Sequence, residues 1–517
     1  MLPFPAKVQM LPKKKLIVLG AALCAAMAGA YLAASLGLFF PTSPVGKVEF
    51  EVLALAEVGS SEPIAAKPAG QQASQQASPS PEQPTEQCLE RRIDACRKGD
   101  AVVRVLDPVG RPIKGVRVEV QQVSHDFIFG FGLPDLHELS KEYSPEQIRR
   151  IYRCWDRLFN AATPQNAFKM CTLQPSEGQY DFRASDDAAK WCLDHAKRMK
   201  IHALVWQDPT QGRPPWLSRY SGSVLEKTLK THIQTVVERY KELRLSGGEP
   251  LVYAIDVLNE PAHPEASFGL TSDCCDRIFA WTRQLAGENV TLVINEYDLI
   301  SSSFVNQYTN STVGRAASLS LPAFLPILDV ISDPRKVVGL QAHSYPMEYS
   351  VSQLESAAAL IMSRRSAEIH ITEFNYPSDG SPVDSDDYLV ALERARQLEE
   401  PLPPRPTWSE SYQAAACERF YRRCFSIPAI TAITIWDTLD EPSWVPERKP
   451  GLMRTDLSLK PSYLVLDRLI NKTWKTSVSG KTDDGGEFRF RGFYGSYKVT
   501  ARGKQYRFHL PRPRRGN

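Results

Sequence analysis

Short apolar runs recur along the chain at intervals that fit strands alternating with helices. Eight of them are rich in β-branched and aromatic residues and predict strands: "FIFGFG" (127–132), "LFNAAT" (158–163), "IHALVW" (201–206), "VYAIDVLNE" (252–260), "VTLVINEY" (290–297), "VVGLQAH" (337–343), "EIHITEF" (368–374) and "ITAITIW" (430–436). Stretches with apolar residues at helical spacing, such as 186–200 and 224–243, lie between them. Eight such units predict an α/β fold, a (β/α)8 TIM barrel over residues 127–475. Further β-type runs flank it. "AVVRVLD" and "GVRVEVQQV" predict an accessory β segment over 99–126, and "EFRFRGF" and "YKVTARG" another over 476–517 that packs with the strands at 101–123. The chain closes on Arg512, Arg514 and Arg515, which read as a solvated basic tail.

The barrel architecture gives the strand ends their meaning, because polar residues at the C-terminal ends of barrel strands face the active site. The second strand ends near Asn166 and Lys169, and the third on Trp206 and Gln207. The fourth ends on Asn259 and Glu260, the fifth on Asn295, Glu296 and Tyr297. The sixth ends on Gln341 and His343, the seventh on Glu373 and the eighth on Trp436. Trp206, Trp216, Trp436 and Trp444 all fall at or just after strand ends. Sugar rings present apolar faces to indoles and hydroxyls to amides and acids, so this set suits a carbohydrate. Glu260 and Glu373 supply the pair of carboxyls that glycoside hydrolysis needs, one protonated and one ionised. A separation of about 5 Å would mean retention of configuration. Glu296 is expected to support the pair rather than react.

The N-terminus changes the setting. Residues 1–15 form a short segment ending in Lys13, Lys14 and Lys15, and the uncharged run 16–40 is long enough to span a bilayer, with the body outside. A cleaved signal peptide is the competing expectation, with "AGA" at 28–30 as its processing site. Either places the body on the extracytoplasmic side. Residues 41–98, rich in Gln, Ala, Ser and Pro between 60 and 87, read as flexible linker. An oxidising compartment permits disulfides, and Cys88 with Cys96 is a candidate local bridge. Cys417 and Cys424 are too far apart on one helix to bridge easily.

Hydrophobic content of 43% and charged content of 23% are ordinary globular values, and a net charge of +3 with interspersed signs argues against nucleic acid as a partner. No C-x-x-C pair or zinc-like spacing occurs. No metal or organic cofactor is implied, since an acid–base pair suffices.

From "FGFGL" at 130 to about 470 the chain resembles glycoside hydrolase family 10, the endo-β-1,4-xylanases. "TPQNAFKMCTLQPSEGQYDF" is similar to that family's second-strand block, "HALVW" to its third-strand motif, "DVLNE" to its acid/base motif and "ITEF" to its nucleophile motif. "LQAH" and "ITIWDTLDEPSW" also match. The resemblance implies Glu260 as acid/base, Glu373 as nucleophile and Asn259 as reader of the sugar 2-hydroxyl. It implies that His343 and Gln341 bond near Glu373, that Asn166 and Lys169 bind the glycone, and that Trp436, Trp444 and Tyr297 line the cleavage point. Three positions depart from the family pattern: Gln165 stands for Glu, Gln207 for His and Asp437 for Gly. The implied activity is retaining hydrolysis of a β-1,4-linked polysaccharide, xylan or a relative. The alternative is a surface carbohydrate-binding barrel of little or no catalytic power.

Overall fold

A computed structural model describes residues 50–54, 85–263, 268–297, 299–300, 321–343, 348–349, 351–364 and 368–513. Eight parallel strands close into a barrel: β4 (Ile128–Leu133), β5 (Ala161–Pro164), β6 (Arg198–Ile201), β7 (Val252–Asn259), β8 (Thr291–Glu296), β9 (Val337–Leu340), β10 (Glu368–Phe374) and β11 (Ile430–Ile435). β11 pairs with β4 and completes the ring. The core lies between the barrel and its helices, where Phe131, Trp155, Trp191 and Phe159 pack ring against ring.

One strand sits earlier than the apolar pattern places it. β6 is Arg198–Ile201, not 201–206, and only the isolated bridge Val205 to Leu258 continues its pairing. Lys200 hides the strand from a hydrophobicity reading. It is fully buried because its Nζ lies 2.8 Å from the buried Asp256 carboxylate of β7, and a charge inside a barrel wall needs such a partner.

The flanking segments form two small sheets. β12 (Ser477–Lys481), β3 (Arg117–His125), β14 (Gly495–Ala501) and β15 (Lys504–Leu510) make one, and β1 (Phe50–Ala54), β2 (Lys98–Val105) and β13 (Glu487–Phe493) the other. Val103, Val118, Val120, Tyr497 and Val499 are buried between them. Strands from both chain ends therefore build one accessory unit.

Three expectations are corrected. The linker expected over 41–98 contains β1 and a helix, Glu86–Arg97, capped by Thr85. Its last residue, Arg97, is buried and donates to the carbonyls of Phe425, Ile427 and Ile430 at 2.7 Å each, at the N-terminal end of β11. Arg512 is not a free tail residue: its guanidinium donates to Pro428 O and Glu368 Oε1. Cys88 and Cys96 are both unbridged. They lie eight residues apart on the same helix, and a rise of about 1.5 Å per residue holds their Cα atoms too far apart for a disulfide. The apolar run 16–40 lies outside the described residues, and no described helix is long and apolar enough to cross a membrane.

Candidate active site

Both strands that present the expected carboxylates are irregular there, β7 just before Glu260 and β10 around Glu373 itself. The β7–β8 register shifts between Asp256 and Leu258, and the β10–β11 register between Ile371 and Phe374. A bulge adds a residue to one strand and re-aims the side chains that follow. Glu260 then takes the left-handed conformation, φ +55. Its amide is held there by a 2.7 Å bond to Asn295 O. Such a backbone persists in a non-glycine residue only where its surroundings enforce it.

Glu260 and Glu373 are each held by two neighbours. Trp206 Nε1 donates to Glu260 Oε2 at 3.0 Å and Gln341 Nε2 to Oε1 at 2.9 Å. Asn295 Nδ2 donates to Glu373 Oε1 at 2.7 Å, and His343 Nε2 lies 3.1 Å from Oε2. Asn295 is the hinge of the arrangement. Its Nδ2 also donates to Asn259 Oδ1 at 2.7 Å, while Thr372 Oγ1 donates to its own Oδ1 at 2.6 Å and fixes which way the amide faces.

These environments push the two carboxyls apart. Burial raises Glu260 to about 8, with the nearby Glu296 carboxylate adding to the shift and the Gln341 bond opposing it. Burial would raise Glu373 as well, but the His343 bond, the neighbouring His202 ring and the Asn295 bond outweigh it and hold Glu373 down to about 2. Near neutral pH one is a carboxylic acid and the other a carboxylate, the complementary states that acid–base and nucleophilic roles require. Glu296 is fully buried and raised by burial to about 8. It accepts from the amides of Ala262 and Tyr297 and pairs with His263 at 2.8 Å, so it clamps the turn that follows Glu260.

The family-10 glycosyl hydrolase model matches residues 135–468. The chain belongs to glycosyl hydrolase family 10. It is 25% identical over 365 residues to endo-1,4-beta-xylanase A of Caldicellulosiruptor sp. (strain Rt8B.4), covering 64% of this chain and 47% of that protein. It is 25% identical over 332 residues to endo-1,4-beta-xylanase A of Humicola insolens, covering 62% and 77%. A 409-residue match at 23% identity to the anti-sigma-I factor RsgI6 of Acetivibrio thermocellus covers 79% of this chain and 45% of the relative. The chain thus spans less than half the length of two of these relatives. Among solved structures, native xylanase 10B from Thermotoga maritima superposes with TM-score 0.50 at 20% identity, covering 67% of this chain and 96% of that one, which bears on the fold alone.

The other expected site residues of this family-10 chain divide by position. Lys169 is nearly buried, with its Nζ 4.9 Å from the centre of the Trp206 ring. Burial lowers its pKa while the charges of Glu373 and Glu260 oppose the shift. Asn166 is exposed on the same turn, its carbonyl accepting from Lys169 N. Tyr297 stacks on His263 with ring centroids 3.6 Å apart. Trp436 meets the His202 ring edge-on at 5.2 Å, and the exposed Trp444 ring lies 4.9 Å from His343. Gln207 is buried, and neither of its amide atoms has a partner among the described residues. Gln341 bonds Glu260, not Glu373 as the resemblance implies. Trp216 is a packing residue that donates to Gln174 O.

Two of the departures from the family pattern meet. Gln165 Nε2 donates to Trp436 O at 2.8 Å and lies 3.3 Å from Asp437 Oδ1. Asn375 Nδ2 donates to Asp437 Oδ2 at 2.8 Å. Gln165 supplies a donor to a carboxylate that has appeared opposite it. A Cβ on Gly132 would lie 2.2 Å from Trp436 O, so only glycine lets β4 pass this close. The strand-end pattern did not bring out the bridging role of Asn295, the bond from Thr372 to Asn295, the bond from Asn375 to Asp437, or the buried His202–Asp256 contact at 2.8 Å. "IHITEFN" and "VINEY" do place three of these residues beside the carboxylates.

Proposed function

We propose that the chain is a retaining glycoside hydrolase acting on a β-1,4-linked, xylan-type polysaccharide or oligosaccharide. The observation that carries this reading is the opposite tuning of two carboxyls, the partly buried Glu260 at about 8 just past β7 and the buried Glu373 at about 2 on β10 of one barrel. The relatives named as endo-1,4-beta-xylanases support the substrate class.

In this reading ionised Glu373 attacks the anomeric carbon while Glu260 gives its proton to the departing glycosidic oxygen. Glu260, now ionised, takes a proton from water, which attacks the anomeric carbon and releases Glu373. Asn259, its carbonyl oxygen fixed by Asn295, turns its NH2 toward the sugar 2-hydroxyl. Asn166, Lys169 and Gln207 take glycone hydroxyls, and Trp206, Trp436, Trp444 and Tyr297 supply ring faces. Residues 16–40 hold the protein in the membrane with the barrel on the extracytoplasmic side, or release it there if the segment is cleaved.

The test is Glu373→Gln on a soluble aryl β-xylobioside, with product configuration followed by NMR. Hydrolysis is expected to fall by roughly 10⁴-fold or more, and the wild type to release the β-anomer first. Unchanged activity in the variant, or an α-anomeric product, would refute the assignment. Oligosaccharide binding in calorimetry without reducing sugar from a broad polysaccharide panel would assign the barrel to glycan capture instead.

A further inference from the structure

A cavity of about 390 Å³ lies where the helices Val351–Met362 and Glu410–Ser426 meet the segment after β10. None of its lining residues belongs to the group assembled around Glu260 and Glu373. Four tyrosines (Tyr349, Tyr376, Tyr388 and Tyr412) and the prolines Pro403 and Pro406 form its walls. The volume is that of an ordinary small-ligand pocket.

The charges in its interior are already matched, while Asp387 stands exposed among the lining residues. Glu348 accepts from Arg419 Nε and from Tyr412 Oη, each at 2.8 Å. Arg423 donates to Glu355 at 2.7 Å. A charged ligand seated in the interior would have to break one of these pairs, which costs more than a rim contact, with Asp387 included, returns. What remains open is of a different kind. The walls offer ring faces, and the buried Nε of Arg423 is a donor with no partner among the described residues. Aromatic faces with a few convergent polar groups and no spare charge in the interior suit a neutral, polyhydroxylated ring.

The cavity also touches the site's support. Tyr349 Oη donates to His343 O at 2.6 Å, and Tyr349 N donates to Tyr376 Oη at 3.2 Å. His343 is the residue whose Nε2 holds Glu373. One wall of the cavity is thus bonded to the backbone that positions a proposed catalytic contact.

We propose that this cavity is a second carbohydrate site, which takes one neutral pyranose ring of a glycan chain outside the cleavage cleft. Only the identity of the sugar rests on the proposed function; the site itself stands on the cavity's own chemistry.

The experiment is calorimetric titration of the full chain carrying Glu373→Gln, with xylotriose and cellotriose as probes. Two classes of binding are expected. Tyr388→Ala removes a stacking wall without breaking a side-chain bond, and Pro404→Trp places an indole at the exposed rim. Each is expected to weaken one class at least tenfold and leave the other, with the unfolding temperature of each variant confirming the fold. A single class of binding untouched by both variants would overturn the proposal. Hydrolysis by the wild type with no Tyr388-dependent binding would remove the second site and leave the glycosidase reading intact. Tyr388-dependent binding with no hydrolysis on any substrate would do the reverse.

Discussion

Removing one of the hydrogen bonds to Glu260 is expected to extend activity into alkali rather than narrow it. Gln341 Nε2 donates to Glu260 Oε1 at 2.9 Å, a bond that favours the ionised form and opposes the rise that burial imposes. Gln341→Met keeps the bulk and deletes the donor. A hydrogen bond to a charged group contributes about 1.5–3 kcal/mol, and one pKa unit is about 1.4 kcal/mol, so Glu260 should rise by roughly one to two units above about 8. Glu296→Gln acts in the other direction. It removes a neighbouring carboxylate that raises Glu260, so the same group should titrate at lower pH. The assay is the pH dependence of kcat/KM on a soluble aryl glycoside, whose alkaline limb reports the acid of the free enzyme. The limb should move up for Gln341→Met and down for Glu296→Gln. Shifts of the same sign in both variants, or no shift in either, would refute the idea that Glu260 is the titrating acid.

Stability should carry the same signature. The folded state holds a proton on Glu260 that the unfolded chain releases between its ordinary 4.5 and about 8, so stability falls as pH rises through that window. Glu260→Gln should flatten the decline between pH 5 and pH 9 by a few kcal/mol in urea titrations, with the share owed to Glu296 remaining; an unchanged slope would contradict the burial argument. Gln165→Glu sets a second carboxylate against Asp437, which burial already raises to about 6. It should destabilise the protein by about 1–3 kcal/mol above pH 7, and adding Asp437→Gly should recover most of that in a double-mutant cycle. Arg97→Met removes a buried guanidinium that donates to three carbonyls at the base of β11. A loss of about 3 kcal/mol or more is expected, read as a lower unfolding temperature.

The barrel was legible because seven of its strands are apolar runs, all but the first stopping on polar or indole residues, and a period-two or all-apolar run is a local property. Glu260 and Glu373 were legible for the same reason. β6 was misplaced because Lys200 is buried by an ion pair with Asp256, and that partner lies 56 residues away in sequence. Asn295 could be named as a strand end, but its bridging role depends on the registers of β7, β8 and β10 together. Gln165 and Asp437 stood out singly as departures; their contact exists only because β11 closes against β4 and β4 against β5. Arg97 was lost in a composition average over 41–98, although Leu89 and Ile93 have helical spacing there.

Strand β1 changes how far the barrel can stand from a bilayer. Its pairing with β2 ties residues 50–54 into the body, so the length of chain from 55 to 84 adds nothing to the leash. Only residues 41–49 separate the proposed membrane segment from the first paired residue. Nine residues reach at most about 30 Å, where a linker running to residue 98 would have allowed about 200 Å. If 16–40 is embedded, the proposed hydrolase reaches glycan within a layer about one domain deep and cannot search beyond it. Its working distance is then set by a nine-residue collar, and lengthening that collar, not the Gln-rich segment, should widen the zone of digestion.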